Sequence, residues 1–391
     1  MKALIYLDEN ALSPAGGPLG VGYYIHEEAS KDKDSGISFL KSDVAVKDRE
    51  ARQKNILYKF PHLTKIVRSL RHIKDYKTML YSPKDNSDKL MGYDIVHFHS
   101  TKDMYSQRKS LEKFKGKTVL TSHSPIPLFQ ELYAACATNF ECRFYEKRMK
   151  DFEEMDKWSF LNADYIIFPC PDAEEPYFNN WKAYSEIKKT KSDSYRYVLT
   201  GISERKSKVS KEDIRKKYEI SSESFVVVYV GRHNEVKGYG NLKKIGEDLL
   251  DSNNDIRFLI AGKEAPLTRL HHDSWTEVGF TKDPYSLIAA GDVFILPNNE
   301  TYFDLVFIEV LSLGKIIIAS RTGGNRYYEK AGVKGVFLYD TLDEAEQLIE
   351  KIKKMPIEDR IDLERANKEF YKQNLTSRIF YENYKKTIDS L

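Results

Sequence analysis

Three cysteines in 391 residues are too few for a disulfide framework, and Cys136, Cys142 and Cys170 lack the paired spacing of a zinc site. That scarcity predicts reduced thiols and a cytoplasmic location. No window approaches 18 uninterrupted apolar residues, and the N-terminus, MKALIYLDEN, turns acidic after a short apolar run, so neither a membrane span nor a leader is expected. A dominant charge is missing too: 62 Lys and Arg against 59 Asp and Glu leave +3, which gives no argument for a nucleic-acid partner. The one Asp-x-Asp, Asp32 with Asp34, lies in a charged low-complexity stretch, and no His/Asp cluster has ligand spacing, so no metal is expected.

What remains is the composition of a folded protein, 41% hydrophobic and 13% aromatic, in a chain long enough for two cored domains. Short apolar runs alternate with amphipathic stretches, the pattern of parallel strands joined by crossover helices in an α/β fold. Strands are predicted at Ala3 to Leu7, Ile95 to Phe98, Thr118 to Thr121, Tyr165 to Phe168, Phe225 to Val230, Arg257 to Ala261, Val293 to Leu296 and Ile316 to Ser320. They form two groups separated by Asn179 to Ile220, rich in Lys, Ser and Tyr, which reads as a crossing between domains. The expected division is 1–200, 201–365 and 366–391. The last piece belongs to Asp362 to Leu391, whose apolar and aromatic residues at helical spacing predict a terminal helix packed on the body.

The second group opens with VVVYVGRHNEVKGYGNLKKIGEDLL, a buried-type strand ending at Gly231, then Arg232, Lys237 and Gly238, then a helix. Doubly wound sheets bind ligands beyond the carboxyl ends of their strands, where helix N-termini offer unpaired N–H groups to anions. An Arg fork and a compact Lys charge in that loop suit a diphosphate. Further on, NNETYFDLVFIEVLSLG places Glu300 before a predicted helix, Leu305 to Leu313, and Glu309 within its first turns. An acceptor-only carboxylate there suits two ribose hydroxyls; its plainer reading is an exposed acid favoured by the helix dipole.

GRHNEVKG, followed by AGDVFILPNNETYFDLVFIEVLSLGKIIIASRTGGN, resembles the retaining glycosyltransferases of family 4, which have the GT-B fold. The resemblance is strong over Val226 to Asn325 and looser at YDIVHFHS, VLTSHSP and the terminal helix. It implies two Rossmann-like doubly wound domains facing an interdomain cleft, the first on the acceptor side, the second holding a nucleotide sugar, and a last helix crossing back to the first domain. Carried over, Arg232 and Lys237 neutralise the donor diphosphate, Glu309 binds the ribose, and Phe303, Asp304, Leu305 and Val306 line the phosphate and sugar. The base lies near Gly262, Lys263 and Phe280. In AGGPLGVGYY, Gly16, Gly17 and Gly20 match a glycine-rich loop that lets backbone approach the donor phosphates or the acceptor, and His123 matches the histidine facing the reacting sugar. His97 and His99 are weaker candidates, one of them a structural histidine by strand alternation. The sequence departs from the pattern in one place. Eight residues, not seven, separate Glu300 from Glu309, so the first family glutamate aligns with Thr301, and Asp304 replaces a glycine. Either Glu300 fills the role or Thr301 and Asp304 contact the sugar.

The implied chemistry is transfer of a hexosyl or N-acetylhexosaminyl group, UDP-sugar favoured, to a glycan, glycoprotein or lipid-linked acceptor with retention, as in polysaccharide biosynthesis. Cations of the chain would replace a metal, and no cofactor is implied, the nucleotide sugar being a co-substrate. Two rivals remain: a sugar-nucleotide epimerase of the same fold and a non-catalytic GT-B partner subunit. Between Lys41 and Lys77, eleven Lys and Arg face four Asp and Glu. Within it, Ile56, Phe60, Leu63, Val67, Leu70 and Ile73 share a helical face bordered by Lys59, Lys65, Arg68, Arg71 and Lys74. Residues 56–74 therefore read either as a domain helix with a solvated basic face or as a peripheral contact with the inner membrane face.

Overall fold

The computed structural model describes residues 1–8, 11–14, 16–44, 61–83, 85–253, 255–264 and 266–391. The chain divides into two compact units, one of Met1–Phe168, Pro176–Val198 and Tyr381–Leu391, the other of Pro169–Glu175 and Leu199–Phe380. Each unit is built on a six-stranded sheet whose pairings are all parallel.

In the first unit the strands are β1 (Ala3–Tyr6), β2 (Ile37–Phe39), β3 (Ile95–Phe98), β4 (Lys117–Leu120), β5 (Tyr165–Phe168) and β6 (Tyr195–Tyr197), ordered β2-β1-β3-β4-β5-β6. In the second they are β7 (Phe225–Val230), β8 (Ile256–Ala261), β9 (Trp275–Gly279), β10 (Val293–Leu296), β11 (Ile316–Ser320) and β12 (Val336–Tyr339), ordered β12-β11-β10-β7-β8-β9. The winding reverses between β1 and β3 in one sheet and between β7 and β10 in the other, and loops leaving the strand ends at such a switch point diverge to leave a crevice. The core of the second sheet explains its strand sequences. Val227, Tyr229, Phe258, Ile260, Ile295, Ile316 and Ile318 are buried against Leu242, Ile245, Ile349 and Ile352 of flanking helices. A strand covered on both faces is written as a continuous apolar run.

Several expectations need correction. Asn179 to Ile220 is not a bare crossing: it contains helix Tyr184–Thr190 and β6, the edge strand of the first sheet. The C-terminal stretch is two helices, Ile357–Asn374 and Ser377–Ser390, rather than one. The break is pinned by backbone pairing, since Ile202 N donates to Leu375 O at 3.0 Å and Ser377 N to Ile202 O at 2.9 Å. A Cβ on Gly201 would lie 2.3 Å from the Thr376 carbonyl, so glycine is what lets the segments touch. Cys136 and Cys142 form a disulfide with a Cα separation of 5.5 Å, contrary to the expectation of three reduced thiols; Cys170 is free and buried. The turn capped by Thr138, ahead of helix Asn139–Glu146, folds the two together, which sequence spacing alone does not reveal.

The predicted basic helix is observed as Pro61–Tyr81, while Ile56, Lys59 and Phe60 fall outside the described residues. Among the described residues no helix is long and apolar enough to cross a membrane.

Candidate nucleotide-sugar site

In the second unit, glycines bring the loops at the β7/β10 switch point backbone to backbone. Gly238 has φ 62°, and a Cβ there would lie 1.5 Å from the carbonyl oxygen of Pro297, so only glycine lets the GRHNEVKG loop rest on the end of β10. Gly323 closes the other side, with φ 47° and a Cβ position 1.9 Å from the Thr301 carbonyl. The loops carrying Arg232 and Lys237, Asn298 to Asp304, and Gly323 to Gly324 therefore meet at one end of the sheet.

Asp304 is the N-cap residue of helix Leu305–Ser312, but its carboxylate makes no cap hydrogen bond. It turns instead to Lys237, whose Nζ lies 2.6 and 2.7 Å from its two oxygens, and accepts from Asn298 Nδ2 at 2.5 Å. The first-turn N–H groups of Leu305 and Val306 are thus left without a side-chain cap, at the positive end of the helix dipole. Arg232 is exposed and, among the described residues, makes no ion pair. Thr301 is buried and its Oγ1 has no hydrogen-bond partner among the described residues, whereas Glu300 beside it is half-buried. Phe303 is buried and stacks on Tyr328 at 5.5 Å, which fixes the turn preceding the helix.

Glu309 lies in the second turn of the same helix. Its Oε1 accepts from Arg205 Nε at 3.2 Å, Arg205 Nη2 at 3.0 Å and Tyr285 OH at 2.9 Å. Burial raises its pKa, and the arginine and tyrosine partly offset that. At the expected base region, Gly262 N donates to Gly279 O at 2.9 Å and Lys263 O accepts from His233 N at 3.4 Å, tying the ends of β7, β8 and β9 together. Phe280, just beyond β9, is exposed.

In the first unit, Gly16 and Gly17 both have positive φ, 66° and 62°, at the start of helix Gly17–Ala29, and a Cβ on either would meet nothing within 4 Å among the described residues. The loop has the freedom and the space for a ligand to approach its backbone, while Gly20 is buried inside the helix. His123 follows β4 with φ 58°, the left-handed region, which costs a non-glycine residue about 1 kcal/mol. Its Nε2 is 2.7 Å from His99 Nδ1. His97 is the structural histidine of the pair: its Nδ1 meets Tyr384 OH at 2.8 Å and its Nε2 meets Thr121 Oγ1 at 2.9 Å. Burial lowers the pKa of all three imidazoles.

Sequence reasoning missed Arg205, Tyr285 and Asn298 as partners of the proposed site residues. Of these only Asn298 carried a signal, its place immediately after Pro297 at the end of β10.

Residues 210–373 match the glycosyl transferases group 1 family. The matched segment holds Arg232, Lys237, Asp304 and Glu309 and supports a glycosyltransferase. Solved structures extend the likeness along the chain. HepE of Anabaena, in complex with UDP-glucose, superposes with a TM-score of 0.64 over 100% of both chains at 13% identity. Sucrose-phosphate synthase from Thermosynechococcus elongatus gives 0.61 over 99% of this chain and 98% of the other at 16% identity. An alpha,alpha-trehalose 6-phosphate synthase from Burkholderia multivorans gives 0.61 over 100% and 96% at 11% identity. At these identities the likeness is one of fold, GT-B. No curated protein matches by sequence.

Proposed function

We propose that the chain is a family 4 retaining glycosyltransferase that moves a hexosyl or N-acetylhexosaminyl group from a UDP-sugar to a glycan, glycoprotein or lipid-linked acceptor. The observation that carries this is the convergence, at the switch point of the second sheet, of an exposed arginine, a lysine and an uncapped helix N-terminus. That set suits a diphosphate leaving group. As the anomeric bond breaks, negative charge gathers on the diphosphate, and Arg232, Lys237 and the N–H groups of Leu305 and Val306 stabilise it; losing one such donor costs about 10²- to 10³-fold in rate. Cations of the chain serve here in place of a metal, and the nucleotide sugar is a co-substrate. Glu309 takes the ribose, Glu300 or Thr301 the hexose, and His123 and the Gly16–Gly17 loop act on the sugar and the acceptor. Gly262, Lys263 and Phe280 frame the base. Release of free nucleotide from UDP-, GDP- and ADP-sugars tests the reading, and no turnover or nucleoside diphosphate binding in any arm would defeat it.

A second reading, a non-catalytic GT-B partner subunit, draws on one observation: Lys237 is already neutralised by Asp304. Donor hydrolysis by the isolated chain separates the two, since a subunit without chemistry releases no nucleotide.

We further propose that helix Pro61–Tyr81 rests on an anionic membrane surface. Leu63, Ile66, Val67 and Leu70 are exposed along one face, 50%, 42%, 38% and 57%, among Lys65, Arg68, Arg71 and Lys74. A stripe of exposed leucine and isoleucine rimmed by cations is the composition of a helix lying in the headgroup region.

A further inference from the structure

Aspartate is among the residues best suited to cap a helix, yet Asp304 stands at the N-cap of helix Leu305–Ser312 without doing so. Its carboxylate is drawn away by two donors, Lys237 Nζ at 2.6 and 2.7 Å and Asn298 Nδ2 at 2.5 Å. A carboxylate that swung back to the N–H of Val306 would be an anion of the chain lodged where the proposed diphosphate binds. Whatever keeps Asp304 aside therefore keeps that place open.

The two donors differ in how firmly they are placed. Lys237 is 22% exposed, its ammonium ends a flexible four-carbon stem, and it is one of the cations proposed to meet the diphosphate. Once it turns to phosphate it no longer neutralises Asp304. Asn298 is 2% exposed and its backbone is fixed at the end of β10: its carbonyl accepts from Ser320 Oγ at 2.6 Å, and Gly238 backs onto the preceding Pro297 carbonyl. Its carboxamide can face Asp304 in only one way, since the flipped form would set Oδ1 against a carboxylate oxygen, acceptor to acceptor. Oδ1 is buried and has no hydrogen-bond partner among the described residues, so the bond to Asp304 is what orients the amide.

We propose that Asn298 is a positioning residue: it retains the Asp304 carboxylate when Lys237 passes to the diphosphate, and so keeps the N–H groups of Leu305 and Val306 open to the leaving group. Without it, an Asp304 released by Lys237 returns to the cap position and competes with the phosphate. The effect on the donor rests on the proposed diphosphate site; the hold on Asp304 does not.

Hydrogen exchange at the Val306 amide, followed by NMR on the full chain, tests the hold without any ligand. Lys237→Met imitates the departure of the ammonium, and Val306 should exchange in it as in wild type, because Asn298 alone keeps Asp304 off the helix. Adding Asn298→Ala should slow the exchange about fivefold, the protection of one cap bond, and adding Asp304→Ala to both should restore it. Slowed exchange already in Lys237→Met, or none in the double variant, overturns the proposal. Calorimetry reads the consequence: Asn298→Ala should weaken UDP binding about tenfold, the order of one hydrogen bond to a charged group, yet less than about twofold in the Asp304→Ala background. An equal loss in both backgrounds makes Asn298 a prop of the loop and overturns the proposal too. Should the Asn298 variants fail to fold, the side-chain amide resonance of Asn298 decides: it should be unchanged between wild type and Lys237→Met, and a shift to that of a free amide overturns the hold. If wild type binds no nucleoside diphosphate while the exchange pattern stands, the proposed donor site has failed and the hold has not.

Discussion

Asp304→Asn should tighten UDP binding. The Lys237 ammonium lies 2.6 and 2.7 Å from the two carboxylate oxygens of Asp304, and the side chains are 22% and 17% exposed. A diphosphate drawn to Lys237 must share or displace that carboxylate, and two like charges about 4 Å apart repel by roughly 4 kcal/mol at an effective dielectric of about 20. Partial exposure and relaxation reduce this, and the asparagine keeps a hydrogen bond to the loop, so a net gain of about 1–2 kcal/mol is expected, roughly 5- to 30-fold in Kd. Calorimetry with UDP on the two proteins reads it directly, and the difference should shrink as salt rises. A double-mutant cycle sharpens the test: Lys237→Met should weaken UDP binding more in the Asp304→Asn background than in wild type, because only there is the ammonium unpaired beforehand. Unchanged or weaker binding by Asp304→Asn would refute the competition. It would mean that the pair is a clamp shaping the turn, with the phosphate held by Arg232 and the helix N-terminus alone. A rise in UDP affinity with a fall in transfer would instead mark Asp304 as a contact to the donor sugar.

Three further outcomes follow from the same structure. Arg205→Met leaves the buried Glu309 carboxylate without its cation and should destabilise the chain by about 3 kcal/mol in chemical denaturation. A raised carboxyl pKa means stability is present at low pH and lost as pH climbs through the folded value, so the deficit should be larger near pH 8 than near pH 5, and an equal deficit at both would count against it. Asp156, buried between Thr101 Oγ1 and the Phe129 amide, has its pKa pushed up to about 7 by burial. The folded state therefore binds the proton more tightly, and wild-type stability relative to Asp156→Asn should fall as pH rises from about 4 to about 7, by at most about 1.4 kcal/mol per pH unit; a flat difference would contradict this. Leu63→Gln with Leu70→Gln should lower partitioning onto anionic phosphatidylserine vesicles about tenfold or more, with wild type ignoring neutral vesicles; equal binding by both proteins would exclude this helix as the contact.

The strands that the sequence concealed share a position. β2, β6, β9 and β12 are the four edges of the two sheets, while the predicted strands are the interior ones. An interior parallel strand is covered on both faces and must be a run of apolar residues, as FVVVYV of β7 and VFIL of β10 are. An edge strand is freed from that demand on one side, so β2 is the half-buried ISF, β6 is YRY and β9 is WTEVG, none of which stands out from loop. The site divides along a similar line. Arg232, Lys237 and Gly238 were legible because strand, glycine and helix succeed one another locally, and Gly238 occupies a place where a side chain would strike Pro297. Lys237 with Asp304, Arg205 with Glu309 and His99 with His123 were not, because each joins side chains 67, 104 and 24 residues apart, and only the folded backbone decides which partners meet. The residue types nominate a diphosphate site, and the pairings set how strongly it is charged. With Lys237 and Glu309 each bound to a partner of opposite sign, Arg232 is the cation of the proposed donor set that makes no ion pair among the described residues, and the first encounter with a nucleotide would depend on it.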